Sequence, residues 1–270
     1  MSYPNCQELL LREDAGILTI TLNRPHKRNA MNERLVSELS TVFTYIEPNR
    51  AIRAVVLHGA GGNFCAGGDI SGMHDQTEGD KAAAESAMWE FNRSFGRMVT
   101  QANRAPQVVI ALLEGAVLGG GLGLACISDV AIADTKAKMG MPETGLGIIP
   151  AQIAPFVVAR IGLTAARKMA LLADWVDGIE AKSLGIAHYV TDGADAMEAE
   201  LASVLKKLKK IAPGANALTK KLLLSVGAVE HEALLDQAAD WFAEALGSAE
   251  GIEGTAAFVE KRQPSWAEDA

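Results

Sequence analysis

Residues 108–133, VVIALLEGAVLGGGLGLACISDVAIA, decide the fold because they join apolar runs through a glycine-rich segment. The first run, Val108–Leu113, predicts a buried strand, residues 120–128 predict a buried helix, and residues 130–133 predict a second strand. A helix between two buried strands is typical of a parallel βαβ crossover. Residues 108–127 are about as long as a membrane span, but Glu114 and five glycines interrupt them, so we expect no span there.

The sequence on either side continues this alternation of strands and helices. Residues 9–22 alternate apolar and polar side chains around Asp14-Ala15-Gly16, which predicts a β-hairpin. Residues 32–46 have apolar side chains at helical spacing, which predicts a helix with one apolar face and with Asn32 as its N-cap. Residues 54–57 predict another buried strand. Beyond Pro150 helical periodicity dominates, with predicted helices over 155–160, 164–172, 194–210, 215–226, 231–246 and 248–262. Strands separated by helices favour an α/β fold that binds ligands at the carboxyl ends of its strands.

Composition and charge exclude several classes of protein. Of 270 residues, 49% are hydrophobic and 21% are charged, which is typical of a globular chain and not of a disordered or fibrous one. The net charge of −8 disfavours nucleic acid as a partner. The three cysteines lie far apart, so neither a disulfide framework nor a metal site is indicated, and a cytoplasmic location is expected. The first residues lack the pattern of an export signal.

Two glycine-rich segments follow predicted strands. Residues 58–70 read HGAGGNFCAGGDI, and residues 114–125 read EGAVLGGGLGLA. The second segment opens a helix, whose first N–H groups lack internal partners and attract negative charge. Together the two turns can form an oxyanion hole, although glycines in either one also serve simply for tight turns and close packing.

An isolated acid, Glu143, lies among apolar residues and glycines in residues 139–147, MGMPETGLG. A carboxyl group in a dry pocket has a raised pKa and can carry a proton at neutral pH. The alternative is a helix-capping or surface glutamate, and the spacing alone does not separate the two.

Five short motifs follow one another along nearly the whole chain: Asn23-Arg24-Pro25 with Asn29-Ala30-Met31, Phe64-Cys65-Ala66-Gly67-Gly68-Asp69, Gly119-Gly120-Gly121, Pro142-Glu143, and Phe258-Val259-Glu260-Lys261-Arg262. In this order they resemble the crotonase, or enoyl-CoA hydratase/isomerase, superfamily. The resemblance implies a spiral core of ββα units over residues 1–200 and a C-terminal α-helical trimerisation region over residues 201–270. It also implies a homotrimer or a hexamer of two trimers, an acyl-CoA substrate, and no cofactor apart from the coenzyme A of that substrate.

The resemblance also assigns roles to individual residues. It implies that the main-chain N–H groups of Ala66 and Gly120 bind the thioester oxygen, and that Glu143 exchanges a proton with the substrate. The remaining matching positions are implied to surround the acyl-CoA, with Phe258 and Lys261 at its nucleotide end, often across a subunit boundary. Along the channel these positions are Lys27, Arg28, Ala30, Gly68, Asp69, Ile70, Gly119 and Pro142.

The sequence departs from the family pattern near the presumed reaction centre. Hydratases of this family that use two catalytic glutamates carry one at the position of Glu143. They carry the other two residues after the third glycine of the Gly119-Gly120-Gly121 motif, where this chain has Gly123. We expect Gly123 to leave room for a wider acyl group. The usual glycine-rich turn after Pro150 is replaced by Ala151-Gln152-Ile153-Ala154, in which Gln152 can hold a water but cannot take its proton.

Three functions therefore stay open. The first is a hydratase that adds water to a 2-enoyl-CoA with a branched or isoprenoid chain, because residues 145–162 resemble isohexenylglutaconyl-CoA hydratases. The second is an enoyl-CoA isomerase, which needs only Glu143 to move a double bond. The third is an inactive CoA-binding or interaction protein.

Several nearby residues have simpler predicted roles. Trp89, Phe91 and Phe95 recur at helical spacing and are expected in the core, and the alternative that the family resemblance implies is that their segment covers the acyl pocket. Asp69 is expected to cap a helix, and Cys65 is expected to be a small buried residue rather than a reactive thiol.

Overall fold

The computed structural model describes residues 3–69 and 81–267, and nine strands lie within these ranges. They are β1 (Leu9–Asp14), β2 (Ile17–Leu22), β3 (Ala54–Gly59), β4 (Val108–Leu113), β5 (Ala116–Leu118), β6 (Val130–Asp134), β7 (Lys138–Gly140), β8 (Trp175–Val176) and β9 (Tyr189–Thr191). The larger sheet has the order β1-β2-β3-β4-β6-β9, in which β1 is antiparallel to β2 and the other pairs are parallel. The predicted hairpin and the predicted α/β fold are confirmed.

Nine helices of the described ranges surround the strands: α1 (Glu33–Ile46), α2 (Lys81–Arg104), α3 (Gly120–Ile127), α4 (Ala154–Leu171), α5 (Gly178–Leu184), α6 (Ala194–Leu208), α7 (Pro213–Ser225), α8 (His231–Gly247) and α9 (Ala249–Glu260). The predicted cap of α1 is confirmed, because the Asn32 side chain accepts a hydrogen bond from the N–H of Leu35 at 2.9 Å. The two helices predicted over 155–160 and 164–172 form the single helix α4. Its backbone is broken at Gly162, where φ is +74°.

The larger sheet is buried on both faces, which explains why its strands carry continuous apolar runs. On one face Ile20 and Leu57 pack in a core with α1, α2 and α3. On the other face Val56 and Ile132 pack against Met197 and Val204 of α6. No helix of the described ranges has the length and apolarity needed to cross a bilayer. The run 108–127 instead forms β4, β5 and α3.

A second sheet, β5-β7-β8, brings the two chemically interesting segments together. Strands β5 and β7 are parallel, so Leu118 pairs with Gly140 and both strands end at the same edge. Strand β5 leads into the glycines that open α3, whereas β7 leads into a short 3₁₀ turn, Pro142–Leu146. Sequence periodicity did not predict this sheet, because three-residue strands are too short to show it.

Candidate active site

A cavity of about 270 Å³ lies at the edge where β5 and β7 end. Its walls come from the Ala66–Gly68 turn, the start of α3, the Pro142-Glu143 turn, one face of α2, and the loop that leads into α4. The lining residues are Met31, Ala66, Gly67, Gly68, Phe91, Asn92, Phe95, Gly119, Gly120, Pro142, Glu143, Leu146, Ile148, Ile149, Pro150, Ala151, Gln152 and Ile153. The structure therefore brings together both predicted glycine-rich turns and the predicted acid.

The two glycine-rich turns touch through their backbones, and this contact requires glycine. A Cβ on Gly67 would lie 3.2 Å from the Leu118 carbonyl oxygen, and one on Gly119 would lie 2.8 Å from Glu143 Oε1. Both residues also have positive φ, +100° and +51°, which side chains disfavour. The N–H of Gly119 donates to the Gly140 oxygen at 3.0 Å, which fixes this turn against the end of β7.

Gly68 and Gly120 line this cavity, and their main-chain N–H groups have no hydrogen-bond partners among the described residues. Gly120 begins α3, so its N–H has no acceptor within the helix. The prediction for Ala66 was wrong, because its N–H donates to the carbonyl oxygen of Arg28 at 3.0 Å. A donor already paired in this way cannot serve a ligand. The second available donor is therefore Gly68, two residues further along the same turn.

Glu143 has the properties of an acid/base group. Its Oε2 is buried and has no hydrogen-bond partner, and burial raises the pKa of this carboxyl above its ordinary value. Among the described residues that line the cavity, no other is ionisable. Of these residues, Glu143 is therefore the candidate for proton transfer.

Gly123 does not enlarge the cavity, and the prediction that it would is wrong. A Cβ on Gly123 would lie 2.4 Å from Ile153 Cγ2, so the Ile153 side chain already fills the space beside it. Ile153 is 2% exposed and lines the cavity, whereas Gly123 does not. A carboxyl group at residue 123 would collide with this apolar side chain.

The ion pair between Arg24 and Asp69 stabilises the Ala66–Gly68 turn and takes no part in the chemistry. Arg24 forms an ion pair with Asp69 at 2.8 Å and a second one with Glu8 at 3.3 Å, and it also donates to the carbonyl oxygen of Ala30. This pairing gives Asp69 a structural role; the helix start that it was predicted to cap falls outside the described residues, so the cap stays a prediction. Buried Asn29 holds the same region by donating to the carbonyl oxygens of Ala60 and Asn63.

The other residues predicted along the channel lie in different places. Lys27 and Arg28 are exposed beside the Ala66 turn, and Ala30 is buried. The predicted channel residue Ile70 lies outside the described residues. Phe258 is 84% exposed at the end of α9 and Lys261 follows it, and neither residue lines the cavity.

The structure separates side chains of α2 that the sequence grouped together. Phe91 and Phe95 pack against the core, as predicted, and also line the cavity, whereas Trp89 is exposed instead of buried. Asn92 lines the cavity and was not singled out, although its spacing from the two phenylalanines places it on the same stretch of α2.

Two of the three cysteines, Cys65 and Cys126, are buried, whereas Cys6 is partly exposed. Burial raises the pKa of Cys65 and of Cys126 to about 12, so both thiols stay protonated at neutral pH. This confirms Cys65 as a small buried residue. Within the described ranges no cluster of three or more histidine, cysteine, aspartate or glutamate side chains is arranged to hold a metal ion.

Comparisons with known proteins agree with this geometry. Residues 12–269 match the family described as Enoyl-CoA hydratase/isomerase. A putative enoyl-CoA hydratase from Thermus thermophilus is 30% identical over 255 residues, which cover 93% of this chain and 98% of that protein. Among solved structures, Pseudomonas aeruginosa AtuE is 55% identical with a TM-score of 0.93, covering 97% of this chain and all of its own. An enoyl-CoA hydratase/isomerase from Marinobacter aquaeolei is 52% identical with a TM-score of 0.92 over the same shares. The chain therefore belongs to the enoyl-CoA hydratase/isomerase, or crotonase, family.

Proposed function

We propose that this protein adds water to a 2-enoyl-CoA thioester. Glu143 is the acid/base group in this proposal, and the N–H groups of Gly68 and Gly120 bind the thioester oxygen. The observation that carries the proposal is the cavity itself, in which one carboxyl group and two unpaired amide donors share apolar walls. Family membership and the hydratase name of the Thermus relative support the thioester substrate and the reaction.

One carboxyl group is sufficient for the proposed addition. The Glu143 carboxylate takes one proton from a water molecule as the water oxygen bonds to C3 of the enoyl group. The electron pair of the double bond moves toward the thioester oxygen, and the enolate that forms is bound by the two amide donors. Glu143 then delivers the same proton to C2, which restores the carboxylate.

The amide donors supply most of the electrostatic stabilisation in this scheme. Loss of one oxyanion donor typically costs ~2.7–4 kcal/mol in the transition state. The raised pKa of Glu143 suits both halves of the reaction, because a carboxyl close to neutrality both accepts and releases a proton readily.

A second candidate, an enoyl-CoA isomerase, is favoured by a specific observation. Ile153 occupies the space beside Gly123, so the cavity offers one carboxyl group where two-glutamate hydratases use two. Moving a double bond needs only one such group, which removes a proton at C2 and returns one at C4. No water takes part in that reaction.

The proposal extends to the whole acyl-CoA and to assembly. In this proposal Lys27 and Arg28, which are exposed, contact the coenzyme A where it leaves the cavity, and Phe258 and Lys261 meet its nucleotide end in a neighbouring subunit. We propose residues 1–200 as the catalytic core, residues 201–270 as the region of assembly into a trimer or hexamer, a cytoplasmic location, and no cofactor beyond the substrate's coenzyme A. Large exposed apolar side chains on the C-terminal helices support assembly, and they include Leu223, Phe242, Ile252, Phe258 and Val259.

Reaction products in heavy water test the proposal. The protein is incubated in D₂O with crotonyl-CoA, 3-methylcrotonyl-CoA and longer branched 2-enoyl-CoA esters, and the products are separated and weighed by mass spectrometry. Hydration gives a 3-hydroxyacyl-CoA that carries one deuterium at C2. A shifted double bond without added oxygen would replace the hydratase with the isomerase, and binding of the esters without turnover would refute both enzymes.

A further inference from the structure

The side-chain amide of Gln152 occupies a notch in helix α2. A Cβ built on Gly96, in the interior of that helix, would lie 1.9 Å from Gln152 Oε1. The amide therefore sits in the space that any side chain at residue 96 would need. Glycine is unfavourable within a helix, so its presence at this contact indicates that α2 is shaped to receive the amide.

The chemistry of the neighbouring groups fixes the orientation of this amide. Arg93 Nη1 lies 3.3 Å from Gln152 Oε1, and a guanidinium group can only donate, so the oxygen must face Arg93. The Gln152 nitrogen then donates to Asn92 Oδ1 at 2.8 Å. This bond in turn sets the orientation of the Asn92 amide.

The amide pair lies in the cavity wall and retains hydrogen-bonding capacity. Apart from Glu143, Asn92 and Gln152 are the polar side chains among the described residues that line the cavity. Each nitrogen keeps at least one N–H without a partner in the described part of the chain, and Gln152 Oε1 keeps one lone pair. The described lining thus combines apolar walls with one proton carrier and one oriented pair of neutral amides.

We infer that the Asn92–Gln152 pair, held in the notch at Gly96, orients the water that attacks C3. This inference rests on the proposed hydratase function. An amide N–H donates to the water oxygen, which leaves one lone pair for C3 and one O–H for Glu143. Because a side-chain amide is neither an effective acid nor an effective base at neutral pH, the pair positions the water, and proton transfer stays with Glu143.

The test separates water attack from proton transfer at C2. Hydration of crotonyl-CoA, or of the 2-enoyl ester that the protein turns over fastest, is measured alongside deuterium uptake at C2 of the matching saturated acyl-CoA, which needs no water nucleophile. Gln152→Ala is expected to lower the hydration kcat by about 10- to 100-fold, as for the loss of an oriented hydrogen bond. Deuterium uptake is expected to change by less than about 3-fold. The matched control is Gln101→Ala, which removes an α2 amide bonded to Ser40 and Thr44 outside the cavity.

A second variant tests the notch without altering the amide. Gly96→Ala is expected to reproduce the selective loss of hydration, because its methyl group displaces Gln152 from α2. In the Gln152→Ala background the same Gly96→Ala change is expected to have little further effect, because the one close atom that remains, Arg93 Nη1 at 2.8 Å, is the end of a flexible side chain that can move away.

Three outcomes would overturn the inference. The first is full hydration activity in the Gln152→Ala variant. The second is an equal loss of hydration and of deuterium uptake in that variant, which would indicate that Gln152 only holds the loop in place. The third is a Gly96→Ala effect that is undiminished in the Gln152→Ala background. A wild-type protein that hydrates none of the esters would refute the proposed function itself, and this inference with it.

Discussion

Ile153 packs against Gly123, so the effect of Gly123→Ala on the free energy of unfolding should depend on whether the Ile153 side chain is present. A Cβ on Gly123 would lie 2.4 Å from Ile153 Cγ2 and 3.1 Å from Ile153 Cβ. Ile153 is buried at the start of α4 and its N–H donates to the Pro150 oxygen at 3.3 Å, so it cannot swing away freely. Overpacking of this kind costs ~1–3 kcal/mol, whereas alanine is ~1 kcal/mol better than glycine within a helix. We expect Gly123→Ala to lower the free energy of unfolding by roughly 1 kcal/mol.

Removing the obstructing side chain should reverse this effect. Ile153→Ala alone is expected to cost ~2–5 kcal/mol, because it deletes a buried side chain. In that background Gly123→Ala meets no Cγ2 and should raise the free energy of unfolding by up to ~1 kcal/mol. The assay is urea unfolding of the four proteins at one protein concentration. Equal effects of Gly123→Ala in the two backgrounds, within ~0.5 kcal/mol, would refute the packing argument and reopen residue 123 as a site for a second carboxyl group.

Three further predictions concern the donors, the acid and the thiols. Gly68→Pro removes one amide donor and should lower kcat by ~10²–10³-fold. Its control is Gly68→Ala, which keeps the N–H and has open space around its Cβ, so its kcat should stay close to that of the wild type. Equal kcat values for the two variants would exclude Gly68 as a donor. Because burial raises the pKa of Glu143, the acidic limb of kcat/KM should lie above pH 4.5. The same shift means that the ionised carboxylate destabilises the folded protein, so Glu143→Gln should unfold at a higher temperature than the wild type at pH 8. This difference in unfolding temperature should shrink toward pH 4, where the wild-type carboxyl is protonated. An acidic limb at or below pH 4.5, or no difference in unfolding temperature at pH 8, would contradict the burial argument. Cys65 and Cys126 should resist iodoacetamide in the native protein at pH 8 and react after denaturation, and rapid native labelling of either would show that its thiol is not suppressed.

The sequence predicted the elements that leave a strong periodic signal. The hairpin over residues 9–22, the Asn32 cap and strand β4 each depend on residues close together in the chain, and all three are found. The choice of Glu143 also needed the family resemblance, because its glycine and proline neighbours indicate only a turn, and the structure finds that turn at the cavity.

The errors arise where long-range contacts decide the outcome. Ala66 and Gly68 are equally small, and only the Arg28 carbonyl oxygen, almost forty residues away, determines which N–H is available. Gly123 suggested empty space because nothing in the sequence shows that Ile153 packs against it. The helix period correctly placed Phe91 and Phe95 on a buried face, but it could not distinguish a packed core from a cavity wall.

The most direct test of the account compares Glu143→Gln with wild type in two measurements on the same protein sample. Isothermal titration with a saturated acyl-CoA should give similar Kd values, because glutamine preserves the shape of the side chain and the two main-chain donors are untouched. Turnover of the 2-enoyl-CoA and deuterium uptake at C2 should both fall by ~10²–10⁴-fold, since the glutamine side chain cannot carry the proton. A variant that binds equally well and retains more than about a tenth of either activity would show that another group moves the proton.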